Sequence, residues 1–220
     1  MSTVVNGVEG ILRRCREEGR AALVGYLPVG FPTVEGSHEA MRVLVEAGCD
    51  IVEVGVPYSD PLMDGPVIQH AASTALAGGA RVDDVFRATQ AVRDAGGAAL
   101  VMTYWNLVLR RGVERFAADL AASGGSGLIT PDLIPDEAEE WIAASDAHGL
   151  DRVFLVAPSS TPERLSAVTS ACRGFVYAAS TMGVTGARTS VDSDARGLVE
   201  RTRSVTELPV CVGLGVSTGA

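Results

Sequence analysis

The feature that most constrains this chain is a strict alternation of two periodicities. Short apolar, β-branched runs occupy 21–27, 51–56, 98–104, 127–130, 152–156, 174–179 and 209–213. Between them lie stretches with apolar residues at helical spacing, at 34–47, 66–77, 83–94, 113–123, 135–148, 161–172 and 193–205. Glycines close five of these helices, at Gly48, Gly78-Gly79, Gly96-Gly97, Gly124-Gly125 and Gly149. Before the first strand, Val5, Val8, Ile11 and Leu12 mark one face of an extra amphipathic helix. Strands that alternate with helices build a parallel sheet covered by helices. Two architectures satisfy that pattern, a doubly wound open sheet and a (β/α)8 TIM barrel. No G-x-G-x-x-G follows the first strand, which argues against the dinucleotide-binding open sheet. A barrel needs an eighth strand and typically about 250 residues, whereas the sequence stops at Val216-Ser217-Thr218-Gly219-Ala220, just past the seventh run. An open-edged parallel sheet this apolar would invite aggregation. The expectation is therefore an α/β protein, one (β/α)8 barrel domain over residues 1–220 with its last βα unit missing.

Composition narrows the function. A net charge of −9 and a pI near 4.8 leave no general basic field, so nucleic acid is not an expected partner and a bound phosphate would rely on local backbone N–H groups. Cys15, Cys49, Cys172 and Cys211 are scattered without a C-x-x-C pair, which points to reduced thiols in a cytoplasmic protein rather than to zinc or disulfides. No run is long and apolar enough for a membrane span or a signal peptide, so a soluble chain without membrane attachment is expected. His38, His70 and His148 do not cluster and read as surface residues at helices, and Trp141 reads as core or interface.

The chemistry concentrates in Ile51–Gln69, IVEVGVPYSDPLMDGPVIQ. Glu53 lies within an apolar strand, where both faces of a parallel sheet are normally covered. A carboxylate there is costly to desolvate. An inward acid satisfied by a neighbour would explain Glu53 alone. Asp60 and Asp64 in the next loop add two acids that can converge with it at the carboxyl end of the strand, where α/β enzymes place their chemistry. Met63, in the same loop, suits a lid contact or a surface facing a partner. Gly183-Val184-Thr185-Gly186 and Gly213-Leu214-Gly215-Val216-Ser217 follow the sixth and seventh strands. Each alone reads as an ordinary βα turn, but together they offer two backbone nests for a phosphate.

The stretches LVGYLPVGFPT, CDIVEVGVPYSDPLMDGPVIQ, MTYWNLV, FLVAPSST, FVYAASTMGVTGAR and VCVGLGVS resemble, in order and spacing, the tryptophan synthase alpha subunit family. The resemblance spans nearly the whole chain. It implies a (β/α)8 barrel lyase that cleaves indole-3-glycerol phosphate to indole and glyceraldehyde 3-phosphate in tryptophan biosynthesis. It further implies a beta-subunit partner in an alpha2-beta2 heterotetramer. That partner carries pyridoxal phosphate and receives the indole, and this chain has no cofactor and no metal of its own. Glu53 and Asp64 match the family's catalytic acids, Tyr177 a tyrosine lining the site, and Thr185 a threonine of the loop after strand six. Gly186 and Gly215 match glycines that contact the substrate phosphate, with Gly213 in the same nest. Asp60, Tyr104 and Asn106 match positions near the communication surface between subunits. Plain structural roles suffice for Tyr104 as core and for Asn106 as a turn residue. Phe31 stands where the family commonly has an acid, and the family's last strand with its glycine–serine turn is missing.

Two other readings use the same residues. One is an isomerase or transferase acting on another sugar phosphate, with a metal bridging Glu53, Asp60 and Asp64. The other is a subunit that only activates its partner, against which the presence of both Glu53 and Asp64 argues.

Overall fold

The computed structural model describes residues 7–179 and 193–213. Eight parallel strands run β1 Val24–Pro28, β2 Ile51–Gly55, β3 Ala98–Met102, β4 Gly127–Ile129, β5 Asp151–Val153, β6 Leu155–Val156, β7 Val176–Ala179 and β8 Val210–Gly213. Their hydrogen-bonded order is β1-β2-β3-β4-β5 in one sheet and β6-β7-β8 in a second, so within each sheet every strand pairs with its neighbour in sequence. β5 and β6 are the single fifth run of the sequence, interrupted at Phe154. The sheet passes the break without losing a hydrogen bond, because the Tyr177 amide donates to the Phe154 carbonyl at 3.2 Å. Side-chain alternation also survives it: Val153 and Leu155 face one cluster while Phe154 and Val156 face the other. Consecutive pairing with all strands parallel is the curl of a barrel wall.

The helices are α1 Val8–Glu17, α2 Val34–Glu46, α3 Pro66–Ala77, α4 Val82–Asp94, α5 Trp105–Arg111, α6 Val113–Ala122, α7 Glu139–His148, α8 Pro162–Ala171 and α9 Ser193–Arg203. Their limits follow local chemistry. Thr33 and Thr161 cap α2 and α8 by accepting from the amides of Gly36 and Arg164 at 3.0 and 3.3 Å. α3 and α8 each begin on a proline, whose missing N–H costs nothing at that position. Gly149 ends α7 in the left-handed conformation, at φ +66°.

Two expectations need correction. The helix expected over 135–148 is a short 3-10 turn, Pro135–Glu137, followed by α7, because Ala138 leaves helical geometry at φ −99° and ψ +13°. The segment after the third run was expected to be strand to residue 104 and then loop. It turns helical at Trp105 instead, and α5 is stopped by Gly112 at φ +93°. Arginines in its last turn favour that short helix.

The core has two layers. An outer one, between sheet and helices, gathers Val52, Val54, Val101, Leu128, Phe116, Trp141 and their neighbours. Trp141 is thus core. The inner one joins Ile51, Leu100, Ile129, Val153, Phe175 and Tyr177 from the strands to Val8, Ile11, Leu12 and Cys15 of α1. α1 therefore closes the amino-terminal end of the barrel, opposite the end where chemistry is expected. The fourth member of its expected face, Val5, lies outside the described residues. Of the cysteines, Cys15, Cys49 and Cys172 are buried and Cys211 is partly so, and all four are free thiols. His38 and His148 are tied to the Asp84 carbonyl and the Glu114 carboxylate, while His70 is exposed. Among the described residues no helix is long and apolar enough to cross a membrane.

A polar clamp fastens this closed end. Arg20 donates to both oxygens of Asp50 at 2.7 and 2.8 Å, the Leu23 amide adds a third bond at 2.9 Å, and the Cys15 thiol donates at 3.6 Å. The Arg20 guanidinium holds the Asp50 carboxyl down at about 2. A depressed carboxyl stabilises the fold above its unfolded value of 3.8 and ceases to do so as the pH falls toward 2. Asp50→Asn is expected to cost about 1–3 kcal/mol at pH 7 and to flatten the acid unfolding curve between about pH 4 and 2, as read by urea denaturation across pH.

Candidate active site

The carboxyl ends of the strands carry the functional groups. Glu53 is the third residue of β2, in register with Tyr26 on β1 and Leu100 on β3. Its neighbours Val52 and Val54 enter the outer core, so Glu53 points into the barrel. It is 7 % exposed and, among the described residues, its carboxylate has no hydrogen-bond partner. Burial alone pushes its carboxyl up to about 7. A carboxyl raised in this way suits a group that must both accept and donate a proton.

Asp64 lies in the loop after β2, and the Tyr26 phenol feels both its charge and that of Glu53. Tyr104, two residues beyond β3, donates its phenol to Asp64 Oδ1 at 2.9 Å. The same phenolic oxygen accepts from the backbone amides of Leu62 and Met63 at 3.1 and 3.0 Å. One side chain thus fixes both the acid and the loop that bears it. Burial raises the Asp64 carboxyl, and the Tyr104 bond opposes that rise by favouring the ionised form. Tyr58 packs against Tyr104 at 5.3 Å between ring centroids, and its hydroxyl accepts from the Asn106 side chain at 3.1 Å.

Two tyrosines wall the space around Glu53. The Tyr26 hydroxyl lies over Gly55, where an added Cβ would meet it at 2.4 Å. Tyr177, on β7, lies over Gly213, where the corresponding distance is 1.9 Å. Both phenols are pushed well above the usual tyrosine range, first by burial; the next contribution comes from Asp64 and then Glu53 for Tyr26, and from Glu53 for Tyr177. They remain neutral donors at any working pH. Glycine is required at 55 and 213 because the rings occupy the space of a side chain.

Not every expected residue joins the site. Asp60 is exposed and accepts from its neighbour Ser59 at 2.6 Å, so the three acids do not converge. Proline and serine around it turn its side chain toward solvent. Among the described residues no three His, Cys, Asp or Glu side chains gather where they could hold a metal ion. Met63, on the same loop, is half-buried. Phe31 is 38 % exposed and meets His70 edge-on. Thr185, Gly186 and Gly215 lie outside the described residues. Tyr104 is buried as a core residue, as expected, and has a further task, whereas Asn106 lies in a helix and not in a turn. Tyr104 holds Asp64, and Asn106 sits in the first turn of α5 holding Tyr58. Tyr26 was missed; its place directly across from Glu53 on the adjacent strand follows from register, which the sequence does not print.

A parallel barrel with a buried strand acid, and a second carboxylate anchored on the loop that follows the same strand, defines a TIM-barrel protein with acidic groups where such barrels place their chemistry. Comparison with known proteins narrows the class. The family model for the tryptophan synthase alpha chain matches residues 12–220, and this chain belongs to that family. The tryptophan synthase alpha chain of Mycobacteroides abscessus is 65 % identical over 210 residues, covering 96 % of this chain and 80 % of that one. The Mycobacterium marinum alpha chain is 67 % identical over 202 residues, covering 92 % and 75 %. Among solved structures, Mycobacterium tuberculosis tryptophan synthase superposes with a TM-score of 0.92 at 62 % identity, covering 96 % of this chain and 81 % of that one. The tryptophan synthase a2b2 complex of Pyrococcus furiosus gives 0.82 at 32 % identity, covering 90 % and 79 %. The family is a carbon–carbon lyase subunit that cleaves indole-3-glycerol phosphate and pairs with a beta subunit.

The glycine beneath Tyr26 provides a test of this packing. Gly55→Ala is expected to displace the ring and cost about 1–3 kcal/mol, as overpacked cores do, read as a lower Tm with the Tyr26 environment altered in near-ultraviolet circular dichroism.

Proposed function

We propose that this chain cleaves indole-3-glycerol phosphate by a retro-aldol reaction in which Glu53 moves the protons and Asp64 holds the indole. The carrying observation is Glu53, buried on the inner face of β2, without a hydrogen-bond partner among the described residues and with its carboxyl pushed up to about 7 by burial. Breaking the bond between indole C3 and the glycerol side chain requires a proton at C3 and loss of one from the adjacent hydroxyl. In its protonated form Glu53 delivers the proton to C3, which makes the ring a cation. In its ionised form it accepts the hydroxyl proton as the carbon–carbon bond breaks and the aldehyde forms. The electron pair of that bond returns to the ring, and indole leaves. Asp64, whose ionised form the Tyr104 phenol favours against the pull of burial, accepts from the indole N–H while the ring carries positive charge. Tyr177 and Tyr26 line the ring's side of the site.

The phosphate falls to the glycines after the last strands, Gly213 and Gly215 together with Gly186, whose amides can form a nest, and Thr185 belongs to the loop that closes over substrate. The chain acts as one barrel domain in an alpha2-beta2 assembly in the cytoplasm. It needs neither metal nor cofactor of its own, and pyridoxal phosphate belongs to the beta subunit that takes up the indole.

Two outcomes check this reading. Glu53→Gln, which keeps shape and removes the proton carrier, is expected to lower kcat by at least about 10²-fold with substrate binding retained in equilibrium dialysis; turnover near wild type would refute the assignment. Because catalysis begins with binding to the free enzyme, the pH profile of kcat/KM should bend near pH 7 through Glu53, and in Glu53→Asp the bend should move, since a shorter acid is buried differently.

A further inference from the structure

We infer that Asp132, on the loop after β4, is a positioning residue for the cleavage reaction: it holds the first turn of α5, and through that turn it places the Tyr104 phenol on Asp64. The inference rests on the role proposed above for Asp64.

The contacts form a continuous chain across three loops. Both carboxylate oxygens of Asp132 accept from the Trp105 amide, at 2.9 and 3.1 Å, across 27 positions of sequence. Trp105 is the first residue of α5, and its amide is one of the donors that a helix cannot satisfy internally. Tyr104, at the head of that helix, supplies no side-chain cap. A carboxylate at that end also meets the positive end of the helix dipole. α5 has 7 residues, too few to hold its own shape in water. Its start is therefore set by what binds it from outside, and among the described residues the carboxylate that does so is Asp132.

That start carries the two side chains on which the acidic loop rests. Tyr104 donates to Asp64 and accepts from Leu62 and Met63. Asn106 donates to the Tyr58 hydroxyl, and Tyr58 packs on Tyr104. Releasing the Trp105 amide frees the Tyr104 backbone to rotate, and a phenol that swings by an ångström no longer reaches three partners at once. Asp64 then loses both its placement and the bond that favours its ionised form. An acid that merely capped a surface helix would alter stability and leave Asp64 untouched. The two roles therefore separate in kinetics.

The test is a double-mutant cycle in this chain assembled with a tryptophan synthase beta subunit, with indole-3-glycerol phosphate as substrate and thermal melting to confirm that each variant is folded at the assay temperature. Asp132→Ala is expected to lower kcat on the order of tenfold, with KM within about twofold, because a misplaced group fails mainly in the transition state. Asp132→Asn, which keeps an oxygen acceptor, should recover most of that loss. Tyr104→Phe should lose a comparable factor, and the double variant Asp132→Ala/Tyr104→Phe no more than about twofold beyond Tyr104→Phe alone, since both break one connection. Both single variants should move the acidic limb of the kcat profile to higher pH, because Asp64 without its phenol donor holds its proton more tightly. Losses that multiply, an Asp132→Ala enzyme with unchanged kcat, or an acidic limb that stays in place would overturn the inference. Asp64→Asn, run alongside, separates the two failures. Near-normal turnover there removes the Asp64 role and this inference with it, whereas a large loss there with an unaffected Asp132→Ala removes this inference alone.

Discussion

A parallel sheet curled into a wall leaves no water for a side chain on its inner face, and the chemistry of this protein depends on that exclusion. Glu53 stands on that face with apolar strand neighbours on either side and no hydrogen bond among the described residues to offset its loss of hydration. Asp60, seven positions further along in the loop after β2, is by contrast exposed. Burial therefore raises the Glu53 carboxyl, which is what the role proposed for it requires.

Asp64 is handled differently, and the contrast separates two roles. It too is partly buried, but the Tyr104 phenol donates to it. Desolvation without a donor leaves an acid poised between two states, whereas desolvation with a donor favours the charged one. Two carboxylates eleven positions apart thus sit in different environments, and the proposed division of labour, one moving protons and one holding charge, rests on that difference. Tyr104 serves the loop as much as the acid, since Leu62 and Met63 hang from the same oxygen.

The two ends of the barrel divide stability from chemistry. At the closed end, α1 packs its apolar face on the inner layer and the Arg20–Asp50 clamp ties the chain at the start of β2. At the other end, Tyr26 and Tyr177 pack over Gly55 and Gly213 and fill the space a side chain there would take. The same strand begins at the clamp and carries Glu53 three residues later, so rigidity at one end is passed to the acid at the other by β2 itself.

Much of this was legible in the sequence. The alternation of periods set the strands and helices, because a buried parallel strand and an amphipathic helix each impose their own spacing on apolar residues. A lone acid in such a strand marked Glu53, and the turn-rich loop after it marked Asp64. What the sequence could not supply was position across the sheet. Asp60 has the same chemistry as Asp64 and lies four residues away, yet it faces solvent beside Ser59 while Asp64 meets a phenol from another loop. Tyr26 matters because register sets it beside Glu53, and Asp132 because a short helix 27 residues away has an unsatisfied amide within its reach. α5 itself escaped notice because its helical form is stabilised from outside rather than by its own propensity. Local spacing is written along the chain and could be read there; contacts between loops arise only when the barrel brings the ends of its strands together.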